Sequence, residues 1–287
     1  MHENIKKVQK AAVMINRLIS GTIDYIKHLK KEYGLNVSLH FNDEFKGVFL
    51  AFASLSEFNS HFNPYCMCIK SDRALFEKCL RCQEKTLEKC GRTDCFIGVC
   101  HADVTEVVYS VRCGNNAVGF LSVSGYRAEH ERFKKSDFLK NIYDTHMKRE
   151  APPKDLCDVL IFPLSVMLSE ICSLWSDSGK VRENENTAVL AYISEHHTHL
   201  TLSELSEAFH RSRSSISHSF KKQNDMTLKS YCNRLKVNDA KIMLEYSDLP
   251  VTDIAYAVGF ENLSYFINVF KKQEKCTPLE YRKNVKR

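Results

Sequence analysis

The sequence predicts an α+β protein: an N-terminal half that mixes helices with a small antiparallel sheet, followed by an all-helical C-terminal half. Three observations carry this reading. Apolar residues recur at helical spacing near the start and through the last hundred residues. Short runs of strand character, VSLHF, CFIGVCHA, VVYSVRC and AVGFLSVSG, lie between the helical stretches. The tetrapeptide FKKQ occurs twice, at residues 220–223 and 270–273, within the related contexts SSISHSFKKQNDMTLKSY and SYFINVFKKQEKCTPLEY.

At 287 residues the chain has room for two domains, and 44% hydrophobic with 26% charged residues is an ordinary globular composition. Its first twenty residues mix charge with apolar residues and show no continuous apolar core of a signal peptide. No apolar run approaches the roughly 20 residues that cross a bilayer, so a cytoplasmic protein without membrane association is expected. The net charge is +6; residues 187–287 hold fifteen Lys and Arg against eleven Asp and Glu, so most of the excess lies in the last third. That suits a polyanionic partner without establishing one. Eight of the twelve cysteines fall between Cys66 and Cys113. In a cytosolic chain such thiols stay reduced and serve as ligands, redox groups or packing.

Residues 4–32 read as a helix with Ile5, Val8, Ala12, Ile15, Ile19, Ile23, Ile26 and Leu29 on its apolar face. VSLHF and GVFLAF read as strands, and VVYSVRC and AVGFLSVSG as a hairpin closed by the turn-forming GNN at residues 114–116. Residues 157–175 form another helical pattern, with Val159, Leu160, Phe162, Leu164, Met167, Leu168 and Ile171 inward and Pro163 kinking or starting the helix. Polar residues 176–186 read as a linker between residues 1–175 and 187–287.

Each FKKQ follows the same grammar. Leu202, Leu205, Ala208 and Phe209 make one apolar face, capped by Thr201 or Ser203; after the polar turn HRSRS comes a helix that buries Ile216 and Phe220. In the second copy Val251, Ile254, Ala257 and Val258 make the face, Thr252 caps it, Gly259 turns, and Phe266 and Phe270 line the next helix. Residues 228–246 form one long helix between the copies, without Gly or Pro. Two short helices joined by a tight turn are a helix-turn-helix, whose second helix enters the major groove of DNA. Its first example here, RSRSSISH, is rich in Arg and Ser and free of acids, as suits phosphates and base edges.

The last hundred residues resemble the AraC/XylS family of transcription regulators, most closely in DIAYAVGFENLSYFINVFKKQEKCTPLEYR at residues 253–282. This chain has Ser206 where the family usually has Ala, and Asp225 and Lys275 where it commonly has Gly, so both turns after the second helices need positive φ without Gly or a different route. The resemblance implies tandem helix-turn-helix units on adjacent major-groove segments, about one helical turn apart. By position the first would offer Arg211, Ser212, Arg213, Ser214, Ser215, Ser217 and His218 to DNA, and the second Glu261, Asn262, Ser264, Tyr265 and Asn268. Lys221, Lys222, Lys271 and Lys272 would meet phosphates.

Cys79 and Cys82 form a CxxC, with Cys66 and Cys68 upstream and Cys100-His101 downstream. Three uses stay open on the residues alone: a ligand pocket or zinc site drawing on Cys66 or Cys68, Cys79, Cys82 and Cys100 or His101, a redox dithiol, and plain packing. The stretch resembles the PocR-type sensory domain, a PAS-like module, through Tyr65-Cys66, Cys79/Cys82, CHADVTEVVYSV at residues 100–111 and VGFLSVSG at residues 118–125. Here Asp103 follows Ala102 where Gly is usual, and Ser110 stands where Pro is usual. The resemblance covers residues 5–175 and implies a PAS-like α/β pocket for a small organic effector, lined by Cys66, Cys79, Cys82, Cys100, His101 and Glu106.

The combined expectation is a non-enzymatic, sequence-specific regulator, with activation or repression left open, that binds double-stranded DNA, contacts RNA polymerase and forms a homodimer. A small organic effector would control it; metal or redox sensing by the cysteines is the alternative, with zinc as the metal. An alkyltransferase of the Ada type is a further rival, but GVCHAD lacks the Pro and Arg of that family's PCHR nucleophile motif.

Overall fold

A computed structural model describes residues 2–42, 45, 61, 63–177 and 185–286. Two compact units emerge: one from Met1–His61, Lys78–Lys134 and Met147–Ala188, the other from Phe62–Glu77, Lys135–His146 and Val189–Arg287. The expected strand GVFLAF and most of the expected linker lie outside the described residues.

The first unit is built on four antiparallel strands, β1 (Asn36–Phe41), β2 (Cys95–Val99), β3 (Val104–Cys113) and β4 (Asn116–Arg127), in the order β1-β4-β3-β2. The expected hairpin is β3–β4, closed where Cys113 faces Asn116, with Gly114 at φ 59 in the turn. Alternation gives the sheet two unlike faces. Val37, Leu39, Val107, Tyr109, Val111, Leu121 and Val123 are buried on one. Helices α1 (His2–Tyr33) and α6 (Phe162–Asp177) contact the strands and each other. On α1 the predicted Ile15, Ile19, Ile23, Ile26 and Leu29 are all buried. The opposite face carries Ser38, His40, Ser110 and Ser122, all buried, and Cys90 of α3 (Arg73–Cys90) packs there with Val108 and Phe120.

Two expectations need correction here. The segment Lys154–Ser176 is long and apolar enough to meet the criteria of a membrane-spanning helix, contrary to the statement that no run approaches that length. Its apolarity serves packing: Leu164, Leu168, Ile171 and Cys172 are fully buried. The pattern also breaks at Ile161 into α5 (Lys154–Leu160) and α6, one residue before Phe162. Cys157 and Ile161 take the buried positions, leaving the supposedly inward Val159 and Phe162 at 70% and 50% exposure.

The second unit contains α2 (Pro64–Ser71) and α4 (Asp137–His146), whose Tyr65 and Tyr143 rings meet edge to face at 5.0 Å. It also contains α7 (Glu185–His196) from Val189 onward, α8 (Leu202–Ala208), α9 (Arg213–Asn224), α10 (Leu228–Tyr246), α11 (Val251–Ala257), α12 (Leu263–Glu274) and α13 (Pro278–Val285). Thr201 caps α8 through a capping box with Glu204. Thr252 does not cap α11, because the chain enters through Pro250, whose carbonyl accepts from Ile254, and Thr252 falls inside the first turn. Val189, Ile193, Leu205, Ile216 and Phe220 form the core around the first pair. Phe260, Phe266, Phe270 and Tyr281 form a chain of ring contacts in the second.

Gly259, at φ 86, is a position where no other residue fits: an added Cβ would lie 2.3 Å from the Thr198 carbonyl oxygen. Gly259→Ala should therefore lower unfolding free energy by about 2–4 kcal/mol, from backbone strain and overpacking together. Gly21→Ala on α1, with nothing within 4 Å of the new methyl, should raise it by about 0.5–1 kcal/mol. Urea unfolding of the two variants against the parent checks both signs.

Candidate nucleic-acid interface and sensory site

The two helical pairs repeat closely but not uniformly. Their first helices, α8 and α11, start 49 residues apart, whereas α9 and α12 start 50 apart. The turn accounts for the difference: residues 209–212 join the first pair and residues 258–262 the second. Each turn holds one residue in the left-handed region, His210 at φ 51 and Gly259 at φ 86. Each closes with an equivalent backbone bond, Arg211 N–H to the Ser206 carbonyl and Phe260 N–H to the Ala255 carbonyl. Ser206 adds a bond of its own, its hydroxyl donating to the Arg211 carbonyl at 2.5 Å.

Asp225 and Lys275 both adopt the left-handed conformation that Gly would normally occupy, at φ 53 and φ 63, and end α9 and α12. The chain thus keeps the turn and takes the strain.

The second helices present polar faces. Phe220 and Phe270 are buried, and the lysines beside them, Lys221, Lys222, Lys271 and Lys272, are exposed in the last turns. Neither helix has an acid in its first turn, which leaves the positive end of the helix dipole uncompensated. Arg213, Ser214, Ser217, His218, Glu261, Ser264 and Asn268 are exposed as well.

Other predicted contacts have structural duties. Ser212 and Asn262 are the N-caps, each accepting a backbone N–H three residues on. Arg211 lies in the turn, half-buried, and donates to the Ser215 hydroxyl at 2.6 Å. Tyr265 accepts from Asn233 at 2.9 Å and has Lys229 over its ring.

The predicted effector residues divide between the units. Cys66 is buried on α2 in the second unit; Cys79, Cys82, Cys100, His101 and Glu106 belong to the first. Cys79 on α3 has its Sγ 3.1 Å from His101 Nε2. The Cys100 sulfur accepts the Ala102 N–H. Glu106 is buried at a β3 irregularity, its Oε2 3.9 Å from His61 Nε2, which is 3.3 Å from His40 Nε2. His40 stacks on Phe120, and Ser38 and Ser122 bond through their hydroxyls at 2.9 Å. The sequence reasoning missed Ser38, His40, His61 and Ser122. For Ser38, His40 and Ser122 the alternation in VSLHF and FLSVSG was the available signal, in strands whose polar and apolar residues are both buried. A separate cleft of about 700 Å³ includes Asn42, Glu84, Glu88 and Asn116 in its lining but none of the six predicted effector residues.

Asp103 shows why Gly is not required after Ala102. It sits at φ 61, nearly fully buried, and its carboxylate accepts the Arg132 and Phe133 N–H groups at 2.9 Å each. The Phe133 ring lies edge-on to His101, with centroids 6.3 Å apart. Ser110 likewise donates its N–H to Asp94 and its hydroxyl to Thr93, a backbone donation Pro could not make.

Among the described residues no three His, Cys, Asp or Glu are grouped to hold a metal ion, the four candidate thiols Cys66, Cys79, Cys82 and Cys100 included. Burial pushes Cys68 up to about 12 and Cys157 up to about 11, and raises Cys90 and Cys172 as well, so these thiols pack as small apolar groups.

Comparison with known proteins places residues 205–284 in the family described as "Helix-turn-helix domain". Over 97 residues the chain is 34% identical to the uncharacterized HTH-type transcriptional regulator YijO of Escherichia coli, covering 33% of this chain and 34% of that protein. Over 95 residues it is 36% identical to the bifunctional transcriptional activator/DNA repair enzyme AdaA of Bacillus subtilis, covering 33% of this chain and 45% of that one. Among solved structures, the C-terminal domain of the response regulator yesN from Fusobacterium nucleatum is 35% identical, with 35% of this chain and 99% of that chain covered and a TM-score of 0.33. The chain thus spans under half the length of either curated relative.

Two outcomes follow. Lys275→Gly should raise stability by about 1 kcal/mol and Asp225→Gly by less, because Asp tolerates the left-handed region better than Lys; thermal midpoints measure the difference. His101 and His146 are both held below their ordinary value of 6.5, chiefly by burial, so they stay neutral where the unfolded chain takes up protons. Stability is then full above about pH 6.5 and falls as pH drops below it, which urea midpoints at about pH 7.5 and about pH 5.5 would register. Residues 205–284, which hold both helical pairs, match the family described as a helix-turn-helix domain.

Proposed function

We propose that the chain is a sequence-specific DNA-binding transcription regulator of the AraC/XylS kind whose first unit senses a small organic effector. The observation that carries the DNA-binding part is the pairing of the family match with two exposed second helices. Each is anchored by buried Phe (Phe220 in α9, Phe266 and Phe270 in α12), has two exposed lysines in its last turn, and has no acid in its first turn. Arg213 and Asn268 would read base edges, the former suited to guanine and the latter to adenine. The lysines would meet phosphates and supply affinity without sequence choice. Double-stranded DNA is the partner, with RNA polymerase and a second copy of the chain as further expected partners.

The sensing part rests on the sheet face that buries Ser38, His40, Glu106 and Ser122 where an apolar face would pack more cheaply. A PAS-like, PocR-type module with such a lining suits an effector that exchanges hydrogen bonds with hydroxyl, imidazole and carboxyl groups. The names of the relatives favour regulation over catalysis. AdaA's bifunctional name keeps DNA repair as a rival, but its match covers only 95 residues.

Selection from a random duplex library, followed by anisotropy titrations, tests the DNA reading. Arg213→Ala should lose about 1–3 kcal/mol on the selected site and relax preference at one position, whereas Lys271→Ala should weaken all duplexes alike and reduce the salt slope by about one. Absence of any enriched sequence, or equal losses for both variants on every duplex, would remove the assignment.

A further inference from the structure

We infer that Cys79, paired with His101, is a covalent attachment site for small α,β-unsaturated carbonyl compounds. Its role as a sensor rests on the regulator reading above; its reactivity does not.

The argument begins with what separates Cys79 from the other thiols. Cys68, Cys90, Cys157 and Cys172 are buried and kept protonated by that burial. Cys79 is half-buried, and its sulfur lies 3.1 Å from an imidazole nitrogen. Thiols become nucleophiles in such partly exposed, electropositive surroundings. Lys78 and Arg81 flank Cys79 on α3, and their charges act on the His101 ring. They disfavour a further positive charge there and favour a negative one on the neighbouring sulfur.

The second nitrogen supplies the other half. His101 Nδ1 is buried and has no hydrogen-bond partner among the described residues. Histidines that serve a fixed role usually have one nitrogen held by a carbonyl or carboxylate, which sets the tautomer. With the ring proton on Nδ1, the Nε2 lone pair faces the thiol and can take its proton and give it back, and the Asp103 charge favours the imidazolium formed in between. Burial and the two cations keep the ring neutral near neutral pH, ready to accept.

Proton return is what conjugate addition needs. The Cys79 S–H proton passes to Nε2. The sulfur electron pair forms a C–S bond at the alkene carbon β to the carbonyl. The alkene π pair moves toward the carbonyl as an enolate, and the α carbon then takes the proton from Nε2. Every atom of the compound stays in the adduct, and no oxidant or leaving group is involved. The Phe133 ring, edge-on to His101 and fixed through Asp103, gives the site an apolar wall suited to a small hydrocarbon skeleton.

The test is timed labelling of the reduced full chain with methyl vinyl ketone, followed by peptide mapping of all twelve cysteines. Cys79 should be labelled at least about tenfold faster than the half-buried Cys95 and Cys113, and His101→Gln should slow Cys79 by about tenfold or more, on the scale of lost general-base assistance. Unchanged rates at Cys95 and Cys113 in that variant show that the unit remains folded. If they rise, the narrower exchange His101→Asn replaces it. Labelling of Cys79 no faster than its neighbours, or a rate indifferent to His101, overturns the site. Oxidation of Cys79 by hydrogen peroxide that outruns the ketone overturns the choice of reactant. Selective labelling with unchanged affinity for duplex DNA leaves the site intact and breaks its link to the regulator reading.

Discussion

The helical domain depends on one shared element, the long helix α10. Its buried Val237, Ala240, Met243 and Leu244 belong to a single helix that contacts both helical pairs. Two polar contacts pin it at neighbouring turns. Asp239 accepts from His197 Nε2 at 2.7 Å, and Lys236 donates to the Gly259 carbonyl at 2.6 Å. The His197 bond reaches back to the region before α8, and the Lys236 bond reaches the turn of the second pair. Because one rigid rod receives both, the spacing of the second helices is set by packing and not by the linkers between them.

That constraint explains the strain the turns carry. His210, Asp225 and Lys275 all sit in the left-handed region at some cost. They can do so because their neighbours are fixed: Phe220, Phe266 and Phe270 are buried to within 1% of complete exclusion, and the turns close on backbone bonds and caps. The first turn also compensates through Ser206, whose hydroxyl serves the Arg211 carbonyl. The second uses Gly259 and one additional residue. The pairs arrive at similar ends by different local chemistry.

In the first unit the organising fact is the asymmetry of the sheet. One face is apolar and packed by helices; the other buries hydroxyls, the His40 imidazole and the Glu106 carboxylate, with the half-buried His61 between the last two. Buried polar groups cost free energy unless they are bonded, and the Ser38–Ser122 bond and the His40–His61–Glu106 series offset part of that cost. Asp103 extends the same economy to the loop beside His101 by satisfying two backbone donors.

Much of this was legible before any coordinates. Helical and strand periods located α1, β1, β3, β4 and α10, and the repeated FKKQ identified its Phe as core and its lysines as surface, because periodicity records burial directly. Glycine's absence at Asp225 and Lys275 flagged both turns. Other features depended on contacts between residues far apart in sequence. Tertiary packing decided that Ser212 and Asn262 cap helices, that Pro250 and not Thr252 starts α11, and that the helical run breaks at Ile161 with Val159 and Phe162 outward. It alone joined Cys79 to His101 across 22 residues and His40 to Phe120 across the sheet, and it left Cys66 in a different unit. The sequence by itself determined which residues prefer to be inside and how each segment repeats; which polar groups meet there follows from strand register and helix docking, because those set distances that no local preference encodes.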